Sequence, residues 1–191
     1  MYMNYPYKKL ALPTELKSQI NGKLPDNLLA KVSIGGRMWK TAAVAFNAMM
    51  KEAETAGHTF MNIGDYRSFD SQLKMFKERY SLKDEGRTPQ VTRKFEDKTW
   101  YLKKGMSPSA APDPTGKSGS NHGWGLAMDL AVKNKAGDMV NISAAPKAST
   151  WICENGPRFG FYLQGSDPKS GEFELWHWQY CEGDAKPPAL A

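Results

Sequence analysis

Apolar residues recur at helical spacing from Trp39 to Ala56, where Ala42, Phe46, Met49 and Ala53 share one face. Gly57 follows, a suitable residue for the left-handed position that ends a helix. Met61–Tyr66 predicts a short strand. Ser68 is a good N-cap for a second helix, whose inner stripe is Phe69, Leu73, Phe76 and Tyr80. Arg67 therefore falls at a strand-to-helix junction. Leu126–Val132 is an apolar run of strand length interrupted by one charge, Asp129. Lys147–Asn155 predicts a helix stopped near Gly156-Pro157, and Phe159–Leu163 and Glu172–Tyr180 predict a pair of strands.

Between these elements the pattern breaks down. Residues 1–37 hold several Pro and Gly and little periodicity, and predict a wrapping arm with one short helix near Asp26–Val32. Residues 82–119 are rich in Lys, Asp, Gly and Pro, with Thr99-Trp-Tyr-Leu102 as the one strand-like island. A connection this long inside a compact domain is usually functional, and it is expected to be a flap or wall beside a site. Residues 184–191 predict a tail or the start of a linker. The mixture of strands and segregated helices points to an α+β class, with one domain over residues 38–183.

Composition narrows the possibilities. The chain has 191 residues, long enough for a core that needs no metal or disulfide merely to fold. No apolar run approaches the roughly 20 residues of a membrane span. The first ten residues lack the apolar stretch of a signal peptide, so a cytoplasmic origin is the expectation. The net charge of +6 serves solubility, or a weak attraction to an anionic polymer such as a bacterial wall. No nucleic-acid-binding module is visible, and a nucleic-acid partner is not expected. Cys153 and Cys181 are too few and too far apart for a zinc-finger pattern, and buried free thiols are the default.

Three histidines occur in the whole chain, and two lie in unusual surroundings. His122 is followed closely by Gly123 and Gly125, which let the backbone fold tightly, and Trp124 between them is placed to shield it from water. Asp129, inside its apolar strand, is costly unless paired. Either a buried Arg, Lys or backbone group holds it, or a metal does. Glu174 and His177 are three residues apart, so on a regular strand they would point to opposite faces. For both to serve one site, the strand must bend or end near Trp176. His177 between two tryptophans has a simpler reading as a packed aromatic-cluster histidine. Taken together, two imidazoles and a carboxylate suit zinc, which takes four ligands and keeps one for water at a catalytic site. Glu174 is then left over as a candidate base. Arg67 is a candidate oxyanion or carboxylate clamp, or a structural ion pair.

Ser120, His122, Gly125, Ala127 and Asp129 fill the pattern Ser-x-His-x-x-Gly-x-Ala-x-Asp. With Glu174-Leu-Trp176-His177-Trp and Asp65-Tyr-Arg67-Ser-Phe followed by Gln72, the chain resembles the VanY-type D-alanyl-D-alanine carboxypeptidases over roughly residues 60–181. Trp151 to Phe161 resembles the helix and strand that precede the family's catalytic Glu. The resemblance implies a small antiparallel sheet with helices packed on it, and Zn2+ held by His122, Asp129 and His177. It implies Glu174 as the base, Arg67 as oxyanion stabiliser or substrate anchor, and Ser120 and Gln72 as substrate contacts or supports. Trp124 and Trp176 are the flanking candidates for substrate contact. The implied partner is the peptidoglycan stem peptide, and a monomer is expected.

Leu175 departs from the usual Pro, and the insert at 82–119 resembles those of phage lysins and wall peptidases. That likeness implies release by holin-type lysis or carriage in a virion. The alternatives are an L-alanyl-D-glutamate endopeptidase on the same fold, a non-catalytic zinc-containing wall-binding module, and an aromatic-rich virion protein that needs no metal.

Overall fold

The structure is a computed structural model that describes residues 5–113, 115–117, 119–163 and 174–191. In chain order the elements are α1 (Thr14–Lys17), β1 (Leu29–Lys31), β2 (Arg37–Trp39), α2 (Lys40–Thr55), β3 (Phe60–Gly64), α3 (Phe69–Arg79), β4 (Tyr80–Ser81), β5 (Thr92–Phe95), β6 (Lys98–Leu102), β7 (Ala127–Lys133), β8 (Met139–Asn141), α4 (Pro146–Asn155), β9 (Phe161–Leu163) and β10 (His177–Tyr180). The α+β expectation holds.

The main sheet has the order β3-β7-β10-β9, with β8 also paired to β7, and every pairing is antiparallel. β7 is central, which explains why it reads as an almost unbroken apolar run. Its alternate residues Met128, Leu130 and Val132 enter the main core with Leu126. Asp129 shares the opposite face with the small Ala127 and Ala131. On β10 the same alternation sends Trp178 and Tyr180 into the core and leaves His177 and Gln179 on the face of Asp129.

α2 covers the core side with Ala42, Ala45, Phe46, Met49 and Ala53, each fully buried. Phe46 meets Phe161 of β9 edge-on at 5.5 Å. The helix ends as its glycine predicts. Gly57 has φ of 82°, its N–H bonds to Glu54 O, and the His58 N–H bonds to Ala53 O at 2.9 Å. The arm lies beside β9 and β10, where Pro6 O accepts from Leu163 N and Cys181 O accepts from Ala11 N. The end of the chain is pinned by Asp184, which accepts from the Thr14 backbone N–H and hydroxyl.

Four expectations need correction. Asp26–Val32 is not one helix: a single 3-10 turn at Asp26–Leu28 runs directly into β1. β3 stops at Gly64, two residues before the predicted end, after a register slip between Asn62 and Gly64 that leaves Gly64 opposite Asp129. The predicted strand at Glu172–Tyr180 begins only at His177; Glu174–Trp176 is a turn, and Glu172–Phe173 fall outside the described residues. The fourth concerns residues 82–119, which contain a hairpin of two strands rather than one island, joined by Glu96 and Asp97 with φ of 51° and 58°. Two left-handed residues suit a two-residue hairpin turn, but that turn normally advertises itself as Asn-Gly. With β4 the hairpin forms a second sheet over its own small core of Phe76, Tyr80, Phe95 and Leu102.

Both cysteines are free and buried. Burial pushes the Cys153 thiol up to about 11 and the Cys181 thiol up to about 12. Raised values mean that the folded state holds these protons more tightly than the unfolded chain. Their contribution is complete below about pH 8.5, where a free thiol titrates, and is lost as pH rises toward 12. Iodoacetamide at pH 8 is expected to label both thiols slowly in folded protein and rapidly in urea; equal rates would contradict this burial.

Candidate active site

Three segments converge at one end of the main sheet. The first is a 3-10 turn, Asn121–Trp124, opened by Ser120, whose hydroxyl accepts from His122 N, and closed by Gly125 with φ of 64°. A Cβ on Gly125 would press on Trp39 N at 2.6 Å, so both its conformation and its space call for glycine. The second segment is β7, carrying Asp129. The third is the turn Glu174–Trp176, in which Glu174 O accepts from His177 N at 2.8 Å and Trp176 O accepts from Leu130 N at 2.8 Å. The strand ends near Trp176, as a shared site requires, and β10 starts with His177 directly opposite Asp129.

His122 Nε2 lies 3.3 Å from Asp129 Oδ2, and His177 Nδ1 lies 2.9 Å from Asp129 Oδ1. The two rings stand nearly perpendicular, with centroids 4.8 Å apart. Of the explanations for Asp129, a Lys or Arg ion pair drops out: among the described residues its ion-pair partners are the two histidines. Burial alone would raise the Asp129 carboxyl, but the two imidazoles beside it, His122 and His177, outweigh burial and hold the group well below the usual carboxylate range. Burial lowers the His177 imidazole, which favours the neutral ring that a metal needs.

The proton positions test whether a cation fits. His122 Nδ1 is 2.9 Å from Asp65 O. A carbonyl only accepts, so Nδ1 carries the hydrogen, and Nε2 of a neutral ring offers a lone pair to Asp129. Two lone pairs at 3.3 Å repel unless a proton or a metal lies between them. His122 is only 2% exposed, so bulk water does not screen the pair. His177 Nε2 is buried with no hydrogen-bond partner among the described residues. A divalent ion held by the three side chains relieves the first conflict, and the Asp65 carbonyl is the kind of outer group that orients a metal-bound imidazole. The ligand atoms all lie within 4.8 Å of one another.

These residues open onto a cleft of about 310 Å³, lined also by Arg67, Ser120, Glu174 and Trp176. Glu174 is exposed on the cleft rim, outside any strand. Arg67 reaches the cleft from the junction after β3. Its backbone N–H bonds to His122 O at 3.1 Å, and its Nη1 donates to Gln72 Oε1 at 3.0 Å. Burial pulls the Arg67 guanidinium somewhat below its ordinary value, against the attraction of Asp129. Gln72 is 5% exposed and does not line the cleft; its Nε2 donates to Ala110 O at 2.7 Å. It therefore orients Arg67 and fixes the loop, and is placed as a support.

Trp124 is a correction. It is buried in the main core and is not on the cleft. Three residues per turn put it on a different side of the 3-10 turn from His122.

Sequence reading missed several contributors. Asn121 Nδ2 donates to Gln179 Oε1 at 2.6 Å and ties the His122 turn to β10. Gly64 packs on the Asp129 carboxylate, where a Cβ would lie 2.5 Å from Oδ2. Ser107–Ala110 form one wall, held to α3 by Arg79 and Gln72 and to β4 by the Tyr80 hydroxyl. No local pattern marks these residues, because their partners are distant in sequence.

Arg67→Lys is expected to lower kcat/KM by about 10²-fold with little change in thermal stability, since an ammonium cannot keep the Gln72 bond and also present a planar fork to substrate. An unchanged kcat/KM would assign Arg67 to structure.

Solved structures with this fold include the LD-carboxypeptidase LdcB (22% identity, 93% of this chain and 70% of that one, TM-score 0.54). Others are VanYB in complex with D-alanine-D-alanine (17%, 90% and 85%, 0.55) and a vancomycin-resistance D,D-pentapeptidase VanY variant in complex with Zn(II) (19%, 83% and 82%, 0.52). Among curated proteins, YodJ of Bacillus subtilis (strain 168), named as a carboxypeptidase, is 26% identical over 145 residues. That stretch is 74% of this chain and 45% of YodJ, so the chain spans less than half of its relative's length. The profile of the VanY D-alanyl-D-alanine carboxypeptidases matches residues 36–183, which include every segment that meets at the cleft. By that match the chain belongs to the VanY D-alanyl-D-alanine carboxypeptidase family.

Proposed function

We propose that the protein is a zinc peptidase that hydrolyses peptidoglycan stem peptides, releasing D-alanine from a D-Ala-D-Ala end. The observation that carries this reading is the His122–Asp129–His177 cluster, with Arg67 and Glu174 on the same cleft. His122, Asp129 and His177 would hold Zn2+. Bound zinc supplies positive charge that polarises a carbonyl and acidifies water.

The chain's own groups do the rest. Glu174, free of any strand and facing the cleft, accepts a proton from the attacking water and returns it to the leaving amine. Arg67, fixed by Gln72, donates to the substrate oxygen that gains charge or to its terminal carboxylate. Ser120 and Trp176 line the cleft where the peptide lies. Asp65 O and Asn121 hold His122 in place, so the site is oriented before substrate arrives.

The place of action on this reading is the bacterial cell wall, reached by lysis or in a phage particle. No helix among the described residues is long and apolar enough to cross a membrane. The test is digestion of defined muropeptides, with metal analysis of the purified protein. Free D-alanine from a pentapeptide stem, lost on chelation and restored by zinc, is the expected result. Cleavage between L-alanine and D-glutamate would replace the substrate assignment, and zinc binding without any cleavage would indicate a wall-binding module.

A further inference from the structure

The residues ahead of the family match take part in the site. Residues 19–24 thread between the His122 turn and the start of α3. Gly22 N donates to Gly123 O at 2.8 Å, and Gly22 O accepts from Phe69 N at 2.8 Å, so a single residue bridges the two segments. Asn21, 8% exposed, donates through Nδ2 to Ser120 O at 2.9 Å, while its backbone N–H bonds to Gly116 O at 3.3 Å. Leu24 N donates to the Tyr66 hydroxyl at 3.1 Å, next to Arg67. The fit is close enough to constrain both sides. A Cβ on Gly123 would collide with Asn21 Oδ1 and approach Gly22 N to 3.0 Å. Gly22 has φ of 77°, and a Cβ there would lie 2.5 Å from Phe69 N.

Gly123 is not one of the fixed positions of the Ser-x-His-x-x-Gly-x-Ala-x-Asp pattern, and residues 21 and 22 lie before the match at 36–183. Glycine at 123 therefore follows from this chain's own arm. The arm also closes a loop of contacts: Gly22 to Gly123, Gly123 N to Ser120 O at 2.9 Å, Arg67 N to His122 O at 3.1 Å, and Phe69 to Gly22.

We propose that Asn21 and Gly22 are positioning residues, a clamp that sets His122 against Arg67. The inference rests on the zinc-peptidase reading for its catalytic consequence, but not for its structural one. A metal ligand and a substrate clamp carried on separate segments must be held to within a few tenths of an ångström to act together, and backbone bonds from a third segment provide that.

The experiment compares wild type, Asn21→Ala and Asn21→Asp as full-length chains. The Asp variant keeps the shape that packs on Gly123 but removes the amide donor to Ser120 O. Amide hydrogen exchange at Arg67 and Gly123 is expected to quicken by about tenfold in both variants, with Leu130 of β7 unchanged. Zinc affinity measured by chelator competition is expected to fall about tenfold, and kcat to fall more than KM rises. Gly22→Ala is expected to exceed both, and if it fails to fold the Asn21 pair still decides the question. Unchanged exchange at Arg67 and Gly123 overturns the clamp. Acceleration shared equally by Leu130 also overturns it, because the role is then general stability. A wild-type chain that binds no zinc and releases no D-alanine overturns the functional reading, while the exchange pattern continues to judge the clamp by itself.

Discussion

Glu174→Ala is expected to lower kcat for D-alanine release by about 10³-fold or more, within the range that a positioned acid–base group contributes. Zinc content and melting temperature are expected to stay at their wild-type values. Glu174 is exposed, precedes β10 and belongs to neither hydrophobic cluster, so among the described residues its removal opens no core cavity. Nor does it belong to the His122–Asp129–His177 group. Glu174→Gln preserves size and loses only basicity, and should be nearly as inactive. Product assay and metal analysis on the same preparations separate the outcomes. Near-normal turnover in either variant removes Glu174 from the chemistry, and loss of zinc would make it a ligand.

Asp129→Ala is expected to act on the metal first. Its two carboxylate oxygens face both imidazoles, at 2.9 Å and 3.3 Å, so on the proposed reading one substitution removes a ligand and the group that lies between the other two. Affinity for zinc should fall by more than the 10–100-fold typical of an outer-shell change, and activity should disappear with it. Wild-type protein should melt higher with added zinc, because a ligand that binds the folded state stabilises it, by about 4 kcal/mol at 1,000 times Kd. The variant should show almost no such shift. A zinc-dependent rise in melting temperature equal to wild type would place the metal elsewhere. Asp129→Asn keeps the shape without the charge, and separates the loss of the anion from the loss of packing.

Much of this site was legible as residue types at fixed spacings. Asp129 stood out because a carboxylate inside Leu126–Val132 demands a partner, and the partners are His122 and His177. The turn at Glu174–Trp176 was legible as a condition, since a spacing of three cannot serve one face of a regular strand. Trp124 was misread because adjacency to His122 in sequence says nothing about which side of a 3-10 turn a ring takes. The strand Thr92–Phe95 was missed because only Phe95 among its residues is buried. With one apolar position, the strand shows no alternation.

The sequence by itself determined the helix over residues 40–55 with its glycine stop, the apolar central strand, the N-cap at Ser68 and the set of side chains able to hold a metal. Those features are local, set by periodicity, backbone conformation and the chemistry of single groups. The tertiary structure alone decided that His177 pairs in register with Asp129, that Asp65 O fixes the His122 ring, that Gln72 orients Arg67 and that Asn21 rests on Gly123. Each of these joins groups by a contact that depends on strand register or on the path of a loop, and distances of a few ångströms are fixed only when the whole core has packed.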